Sequence, residues 1–242
     1  MKSEGLNIVV TGAGRGLGLE FVKQLLPRAG CLIATVRNPE GAQELQEFAR
    51  SNAGILEIVP LDVSDEASIQ GAVENIGSLV SSLDLLINNA GIYIGRPGTA
   101  EGSDRLGKLT MQGGVETLRT NAIGPVILTQ GLLPLLQQAT QARIVSLTSG
   151  LGSIANTFGA PMHYSVSKAA LNMYMRGLAI QLRNPGIICV VINPGWVQTD
   201  MGGRGASITP EESVSGILRV IDGLTPEQNG SFLNYKGQTE PW

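Results

Sequence analysis

The chain has 242 residues, of which 43% are hydrophobic and 15% charged, and its formal net charge is −3. A chain of this length can bury a sizeable apolar core. Because the charge is slightly negative and the cationic residues are scattered, the sequence excludes the basic surface of a nucleic-acid-binding protein. The 32 glycines, about twice the usual share, predict many tight turns and close approach of backbone to a ligand.

No apolar run reaches the roughly 18 residues of a membrane span, and the N-terminal apolar run stops early at a glycine-rich turn. Cys31 and Cys189 lie in apolar runs, where a reduced cysteine packs as a small hydrophobic residue. We therefore expect a cytoplasmic protein with no membrane partner, no nucleic-acid partner and no metal site.

Short β-branched runs alternate with longer amphipathic segments. The predicted strands cover residues 6–10, 31–36, 55–61, 83–87, 143–147, 187–192 and 231–234. The predicted helices cover residues 17–27, 41–51, 66–81, 115–138, 163–182 and 210–221. This alternation predicts a single α/β domain over residues 1–242, a doubly wound Rossmann-type domain with a seven-stranded, mostly parallel sheet and helices on both faces.

A glycine-rich turn joins the first predicted strand to the first predicted helix. Its amides, at a helix N-terminus, suit an anionic pyrophosphate. The spacing of Gly12, Gly16 and Gly18 departs from G-x-G-x-x-G, because Leu17 occupies the last glycine position. A tight turn without a ligand is the alternative for the motif alone, and its place between strand and helix favours a dinucleotide.

The residues after the second predicted strand indicate which dinucleotide. An acid there suits the ribose of NAD, whereas the 2′-phosphate of NADP attracts a cation. Arg37 and Asn38 follow the strand, and the first acid is Glu40. Arg15 lies at the start of a helix, where a cation is unfavourable without an anionic partner. We therefore predict NADP(H), with two solvated arginines as the alternative.

Three further residues occur in the order of a proton-transfer site. Ser149 follows the fifth predicted strand, at the edge where parallel sheets bind ligands. Tyr164 and Lys168 lie four residues apart on one face of the next helix. A free tyrosine has a pKa near 10, so an adjacent ammonium and a cofactor cation are expected to lower the pKa of Tyr164.

Asn121 adds a fourth residue to this set. It precedes Pro125 by four residues, and proline cannot donate to the carbonyl four positions back. The free carbonyl of Asn121 is predicted to hold a water beside Lys168 that relays protons to solvent. A simple helix kink is the alternative.

Together these motifs resemble the short-chain dehydrogenase/reductase family. The resemblance rests on Thr11-Gly12-x-x-x-Gly16-x-Gly18, Asp62-Val63, Asn88-Asn89-Ala90-Gly91, Asn121, Ser149, Tyr164-x-x-x-Lys168 and Pro194-Gly195. It spans nearly the whole chain. Residues 194–201 and the terminal Pro241-Trp242 are similar to the carbonyl reductases of the C-factor and sniffer type. Thr148 stands where the family often has a second serine.

The resemblance implies a role for each matching residue. Tyr164 would be the general acid, Lys168 would hold the nicotinamide ribose, and Ser149 would hydrogen-bond the substrate oxygen. Asn121 would complete the relay. The expected cofactor contacts are Gly12, Arg15, Gly16, Leu17, Gly18, Arg37, Asn38, Asp62, Val63, Asn89, Ala90, Gly91, Tyr164, Lys168, Pro194, Gly195, Val197 and Thr199. The implied reaction is hydride transfer from NADPH to a ketone or aldehyde.

Residues from about 196 to 212 are predicted to form the substrate loop. Within it, the short glycine-rich segment 202–209 is expected to be a mobile lid. Five apolar residues are candidates for the substrate wall, each with ordinary core or loop packing as its alternative: Tyr93, Ile154, Phe158, Trp196 and Met201. His163, the only histidine, projects about 100° from Tyr164 on the helix. It is assigned a structural or pocket-rim role, with direct proton transfer as the alternative.

The predicted helix 163–182 is apolar on two stripes. One consists of Leu171, Met175, Leu178 and Leu182, and the other of Val166, Ala170, Met173 and Ile180. Such a helix needs burial on both sides, so one stripe is expected to cover the sheet and the other to meet a second subunit. The family's paired long helices imply the same homodimer or homotetramer.

Two functions of different classes remain open. One is an NADPH-dependent carbonyl reductase, and the other is an NADP(H)-binding sensor or signalling protein with little catalysis. A sensor does not need an acid tuned for proton transfer, so the intact Asn, Ser, Tyr and Lys set favours the reductase. An NAD-dependent dehydrogenase running toward oxidation is a third alternative.

Overall fold

A seven-stranded sheet forms the centre of the computed structural model, which describes residues 5–95, 104–159, 161–183, 186–203 and 205–242. The strands are β1 Leu6–Thr11, β2 Ala29–Val36, β3 Leu56–Pro60, β4 Leu85–Asn88, β5 Arg143–Leu147, β6 Ile188–Asn193 and β7 Phe232–Asn234. Their order is β3-β2-β1-β4-β5-β6-β7, and each adjacent pair is parallel. The predicted doubly wound sheet is confirmed, with every strand pairing parallel.

The strand order reverses between β1 and β4. The chain winds from β1 outward to β3, returns to β4 beside β1, and then winds outward to β7. In sheets of this kind a crevice opens beyond the carboxyl ends of the strands at the reversal. The glycine-rich turn after β1 and the Asn-Asn-Ala-Gly segment after β4 therefore meet at one place.

Helices cover both faces of the sheet. Within the described residues they are α1 Gly16–Leu25, α2 Gln43–Ser51, α3 Glu66–Leu79, α4 Met111–Leu118, α5 Gly124–Leu136, α6 Met162–Gln181 and α7 Pro210–Asp222. None of these helices is both long and apolar enough to cross a membrane.

Alternate residues of the central strands feed two separate cores. Ile8 and Val10 of β1 pack in the core under α1 and α7. Val9, between them, packs in the core under α3, α5 and α6. Because both faces of a parallel sheet are buried, its strands are apolar at consecutive positions, which is why the strand segments stand out in the sequence.

The helix predicted over residues 115–138 is helical from Met111 to Leu136, but a π-turn divides it into α4 and α5. α4 begins at Met111, where the Thr110 hydroxyl accepts the Gly113 amide at 3.0 Å. Residues 119–123 then form a π-turn in which the Gly124 amide donates to the Arg119 carbonyl. Pro125 has no N–H and lies in the first turn of α5, where none is needed. The extra residue of a π-turn re-aims the chain, and such turns are frequent at functional sites.

The predicted substrate loop also ends earlier than expected. α7 begins at Pro210, after the Thr209 hydroxyl accepts the Glu212 amide at 3.2 Å. Residues 210–212 are therefore helical, and residue 204 lies outside the described residues. Within the loop, the Trp196 indole donates to the Gly202 carbonyl at 2.8 Å, and the Gln198 side chain donates to the Ala206 carbonyl at 3.0 Å. These bonds give the loop a defined path.

Candidate active site

The glycine-rich turn forms one wall of a cleft at the strand reversal. Gly12 and Gly16 adopt φ angles of +65° and +55°, a left-handed conformation that glycine reaches without strain. A Cβ atom at Gly18 would collide with the Gly12 carbonyl oxygen. These positions of the turn therefore require glycine. The backbone at these positions, without side chains, faces the cleft.

The end of β4 holds this turn in place. The Asn89 side chain donates to the carbonyls of Thr11 and Gly12 at 2.8 and 3.2 Å. The Thr11 hydroxyl accepts the backbone amides of Asn89 and Ala90 at 3.0 and 2.9 Å. These four bonds join the ends of the two central strands into one rigid floor.

The cleft has a volume of about 450 Å³. The predicted cofactor residues that line it are Gly12, Arg15, Gly16, Leu17, Gly18, Arg37, Asn38, Asp62, Val63, Asn89, Ala90, Gly91, Tyr164, Lys168, Pro194 and Thr199. Gly195 and Val197 are not among the lining residues. Val197 is buried and pairs with Ile208, and a Cβ at Gly195 would press on the Ile208 side chain. They support the wall from behind.

Several lining residues were not predicted from the sequence. They are Gly14, Val36, Gly41, Ala42, Leu61, Ile92, Thr120, Leu147, Thr148 and Asp200. Most of them are next to motif residues in the sequence, and this proximity could have been used to predict them. Thr120 is different, because the π-turn brings it to the cleft, and no sequence motif marks that turn.

Cations gather at the end of the cleft beyond β2. Arg37 and Asn38 lie exposed at the end of this strand. Asp62 lies near them: burial acts to raise the pKa of its carboxyl, but hydrogen bonds from Ser64 and the charges of Arg37 and Arg119 outweigh burial and lower it. An anionic group in this part of the cleft would therefore meet a positive Arg37 and an already ionised Asp62.

Arg15 has a partner across the mouth of the cleft. Its guanidinium lies 2.7 Å from the Asp200 carboxylate, with the two side chains 79% and 75% exposed. A solvated pair of this kind contributes about 0–1 kcal/mol. A phosphate could displace Asp200 at little energetic cost, so the ion pair leaves Arg15 available to a ligand.

Tyr164 lies in a buried part of the cleft. The residue is 8% exposed, and its ring stacks on Tyr93 with the centroids 4.8 Å apart. Burial raises the pKa of Tyr164 to about 12, a hydrogen bond with the Ser149 side chain lowers it, and Tyr93 adds to the rise. The lowered pKa predicted from the sequence is therefore not found in the cofactor-free site, because desolvation of the phenolate dominates.

Lys168 is buried one helical turn from Tyr164. Its ammonium donates to the Leu147 carbonyl at 2.8 Å and lies 5.8 Å from the centre of the Tyr164 ring. Burial lowers the pKa of Lys168 to about 8. The Lys168 ammonium, already bound to a carbonyl, does not offset the burial that raises the pKa of Tyr164.

Asn121 is fully buried behind the cleft, and its side chain acts as a clamp. It accepts the Ile92 amide and donates to the Ile92 carbonyl, both at 2.8 Å, and it donates to the Ser167 hydroxyl at 3.0 Å. The side chain thereby joins the segment after β4 to α6. The predicted water at its carbonyl stays a prediction.

Ser149 lies at the end of β5, next to a network that fixes the following turn. Its hydroxyl accepts the Leu151 amide at 3.1 Å. The Thr148 hydroxyl donates to Asn172 at 2.6 Å, and Asn172 donates to the Gly152 carbonyl at 3.2 Å. Threonine at residue 148 thus bonds to α6 through its hydroxyl, as a serine could.

The structure brings only part of the predicted substrate wall to the site. Tyr93 stacks on Tyr164, and Met201 lines the cleft. Trp196, Ile154 and Phe158 are 59%, 74% and 75% exposed and do not line it. The ring of His163 packs against α4, where a Cβ atom at Gly114 would lie 2.9 Å from the ring. This packing favours the structural role for His163.

The lining of the cleft fits a phosphorylated dinucleotide. Glycine backbone lies where a diphosphate needs close approach, Arg37 and Arg15 supply cations at one end, and a tyrosine–lysine pair lies at the other. No group of three or more His, Cys, Asp or Glu side chains within the described residues could hold a metal ion.

Comparisons with known proteins agree with this reading of the cleft. The short chain dehydrogenase family matches residues 6–207. The C-signal protein of Myxococcus xanthus is 44% identical over 161 residues, which cover 66% of this chain and 93% of that protein. The resemblance to the sniffer type is confirmed by the carbonyl reductase Sniffer of D. melanogaster, with a TM-score of 0.89 and 35% identity over 99% of this chain and 100% of that one.

A second solved structure matches equally well. The NADPH-bound carbonyl reductase from chicken fatty liver has a TM-score of 0.89 and 40% identity, covering 99% of this chain and 100% of that one. The family match spans strands β1 to β6, the glycine-rich turn and the Tyr164–Lys168 pair. The chain belongs to the short-chain dehydrogenase family and is an oxidoreductase of that family.

Proposed function

We propose that the protein is an NADPH-dependent carbonyl reductase that converts a ketone or aldehyde into an alcohol. The observation that carries the proposal is the buried Tyr164 hydroxyl, hydrogen-bonded to Ser149 and one helical turn from Lys168, in the cleft that the glycine-rich turn lines. The NADPH bound to the carbonyl reductase from chicken fatty liver supports the choice of cofactor.

The residues of the cleft divide into holding and reacting groups. The turn from Gly12 to Gly18 would hold the diphosphate, and Arg37 with Arg15 would hold the 2′-phosphate. When bound, NADPH supplies a hydride to the carbonyl carbon. Ser149 binds the carbonyl oxygen, and Tyr164 donates its proton to that oxygen as negative charge develops there.

The titration of the site suits reduction. A pKa of about 12 keeps the Tyr164 hydroxyl protonated at neutral pH, which is the form a general acid needs. The Lys168 ammonium, with a pKa of about 8, is charged at pH 7 and can replace the proton that Tyr164 gives up, through the relay that Asn121 is predicted to complete. Proton delivery then declines as the pH rises above 8.

The proposal is tested by NADPH oxidation with a panel of aldehydes, diketones and ketoesters, with NADH in parallel. Turnover with NADPH that is weak with NADH supports the reductase and begins to define its substrate. Tight NADPH binding with no turnover on any compound would favour a dinucleotide-binding sensor, and faster turnover with NADH would contradict the cofactor assignment.

The Arg37→Ala variant is expected to weaken NADPH binding about 10- to 100-fold. A hydrogen bond to a charged group contributes about 1.5–3 kcal/mol, and about 1.4 kcal/mol is a factor of ten. NADH has no 2′-phosphate, so its dissociation constant should change little. Fluorescence titration of both cofactors measures the difference.

Arg50→Ala is the matched control for this variant. Arg50 is an exposed arginine in the last turn of α2 and does not line the cleft. It tests for a general effect of lowering the protein's charge. Equal weakening of NADPH and NADH in Arg37→Ala would contradict the role of Arg37 at the 2′-phosphate.

We further propose a homodimer that forms through α6. The stripe of Leu171, Met175 and Leu182 is buried against the sheet. On the other side of the helix, Val166, Met173 and Ile180 are 54%, 74% and 70% exposed at intervals of seven residues. Ala170, from the same predicted stripe, packs partly against the core instead. An exposed apolar stripe of this kind is typical of an interface.

Met173→Glu is expected to convert this dimer into monomers, because it would bury an unpaired charge between two apolar faces. Light scattering at matched concentrations measures the mass. Leu106→Glu, at a site 85% exposed and outside this stripe, serves as the control. A monodisperse monomer in the unaltered protein would overturn the dimer.

A further inference from the structure

A residue distant in the sequence caps the helix that carries Tyr164. An α-helix leaves the amides of its first four positions without internal partners. For α6 the first of these is Pro161, which has no N–H, and no side chain of its own caps the helix. Asp104 takes the other three: its carbonyl accepts the Met162 amide at 3.1 Å, and its carboxylate accepts those of His163 and Tyr164 at 2.8 and 2.9 Å.

The Asp104 carboxylate is buried, with the residue only 5% exposed. Burying a carboxylate is costly unless hydrogen bonds satisfy it. Here its two oxygens each accept a backbone amide, and the positive end of the helix dipole favours the charge. Bonds from amides to a charged acceptor are roughly twice as strong as neutral ones, so Asp104 holds the first turn of α6 firmly.

The same residue fixes the segment that follows β4. Its backbone amide donates to the Gly95 carbonyl at 3.1 Å. Two residues before Gly95, the Tyr93 ring stacks on Tyr164 with the centroids 4.8 Å apart. Asp104 thus bonds directly to the backbone of Tyr164 and, through Gly95, to the segment that covers the Tyr164 ring.

We propose that Asp104 is a positioning residue for the reaction, which sets the Tyr164 hydroxyl against Ser149 by capping the N-terminus of α6. This inference rests on the proposed function, because it assigns Asp104 a purpose only if Tyr164 is the acid. Asp104 does not line the cleft and so acts only through Tyr164. Proton transfer is sensitive to such placement, since a displacement of about 1 Å can cost about 100-fold in rate.

Asp104→Ala is expected to lower kcat for carbonyl reduction about 10- to 100-fold, with little change in the NADPH dissociation constant. The cofactor contacts of the glycine-rich turn and of Arg37 do not depend on the start of α6. Asp104→Asn keeps one side-chain oxygen that can accept a helix amide, but its NH₂ group cannot accept the other. Its kcat should therefore fall between those of Asp104→Ala and the unaltered protein.

Asp65→Ala supplies the matched control. The Asp65 carboxylate caps α3 by accepting the Ser68 amide at 2.9 Å, and α3 carries none of the site residues. This variant also loses a helix cap. It should therefore lower the melting temperature while leaving kcat unchanged when both variants are assayed well below their melting temperatures.

Amide hydrogen exchange separates the cap from the chemistry. In Asp104→Ala the amides of residues 162–164 should exchange faster in the cofactor-free protein, and in Asp65→Ala they should not. If Asp104→Ala does not fold, Asp104→Asn carries the same measurements. Unchanged exchange at these amides, or an unchanged kcat beside faster exchange, would overturn the positioning role even if Tyr164→Phe is inactive. Full turnover by Tyr164→Phe would instead overturn Tyr164 as the acid, and NADPH binding without turnover by the unaltered protein would overturn the proposed function itself.

Discussion

Tyr164→Phe is expected to lower kcat for carbonyl reduction about 10²- to 10⁴-fold, the range that a positioned general acid contributes. The change removes one hydroxyl and leaves the ring in its stack with Tyr93. NADPH should bind the variant about as tightly as the unaltered protein, because the glycine backbone and the arginines that would hold the cofactor lie elsewhere in the cleft. NADPH binding by fluorescence and turnover by absorbance, on the same samples, separate the two properties.

The burial of Tyr164 makes this loss large. Burial holds the pKa at about 12, so a phenol, and no phenolate, is available for proton donation at neutral pH. Water does not readily replace it, since the residue is only 8% exposed. The carbonyl oxygen of the substrate would then take on negative charge with only the Ser149 hydroxyl to stabilise it.

Tyr174→Phe is the control for the loss of a phenol. Tyr174 lies on the same helix and is 44% exposed, so its hydroxyl faces solvent outside the cleft. Its turnover should match that of the unaltered protein. Retention of more than a tenth of kcat by Tyr164→Phe would show that another group or solvent donates the proton.

The fold follows from patterns that are local in the sequence. The strands are apolar at consecutive positions because both faces of the sheet are covered, and Gly12, Gly16 and Gly18 mark a turn that needs bare backbone. Such signals depend on residues a few positions apart. They predict the strands, the parallel sheet and the cofactor cleft without knowledge of long-range contacts.

The features that the sequence did not predict depend on distant pairs. The cap from Asp104 joins residues 59 and 60 positions apart, and the Arg15–Asp200 pair joins residues 185 apart. The pKa of Tyr164 is also non-local: a neighbouring lysine is visible in the sequence, but the burial that outweighs it is a property of the packed site. The sequence shows which side chains are charged, but only the folded structure shows which of them are removed from water.

Lys168→Met is expected to abolish reductase turnover and at the same time to stabilise the cofactor-free protein at pH 7 by about 2 kcal/mol. Burial lowers the pKa of this lysine from 10.5 to about 8. At about 1.4 kcal/mol per pKa unit, the charged form costs roughly 3 kcal/mol in the fold. The bond to the Leu147 carbonyl, worth about 1 kcal/mol, is lost with the lysine, and methionine fills a similar apolar volume.

The stability gain of Lys168→Met should depend on pH. The pKa of Lys168 is lower in the folded than in the unfolded chain, so between pH 8 and 10.5 the unfolded chain binds more protons and stability rises with pH. Lys168→Met lacks this contribution. Its advantage in urea denaturation should therefore be greatest below pH 8 and should shrink as the pH approaches 10.5.

Lys108→Met tests whether the gain comes from burial. Lys108 is an exposed lysine outside the cleft, so its replacement should change neither the free energy of unfolding nor the dependence of that energy on pH. A Lys168→Met protein that unfolds more easily than its parent at pH 7 would mean that the ammonium stabilises the fold. The expected gain instead identifies Lys168 as a residue that lowers stability and is retained for catalysis.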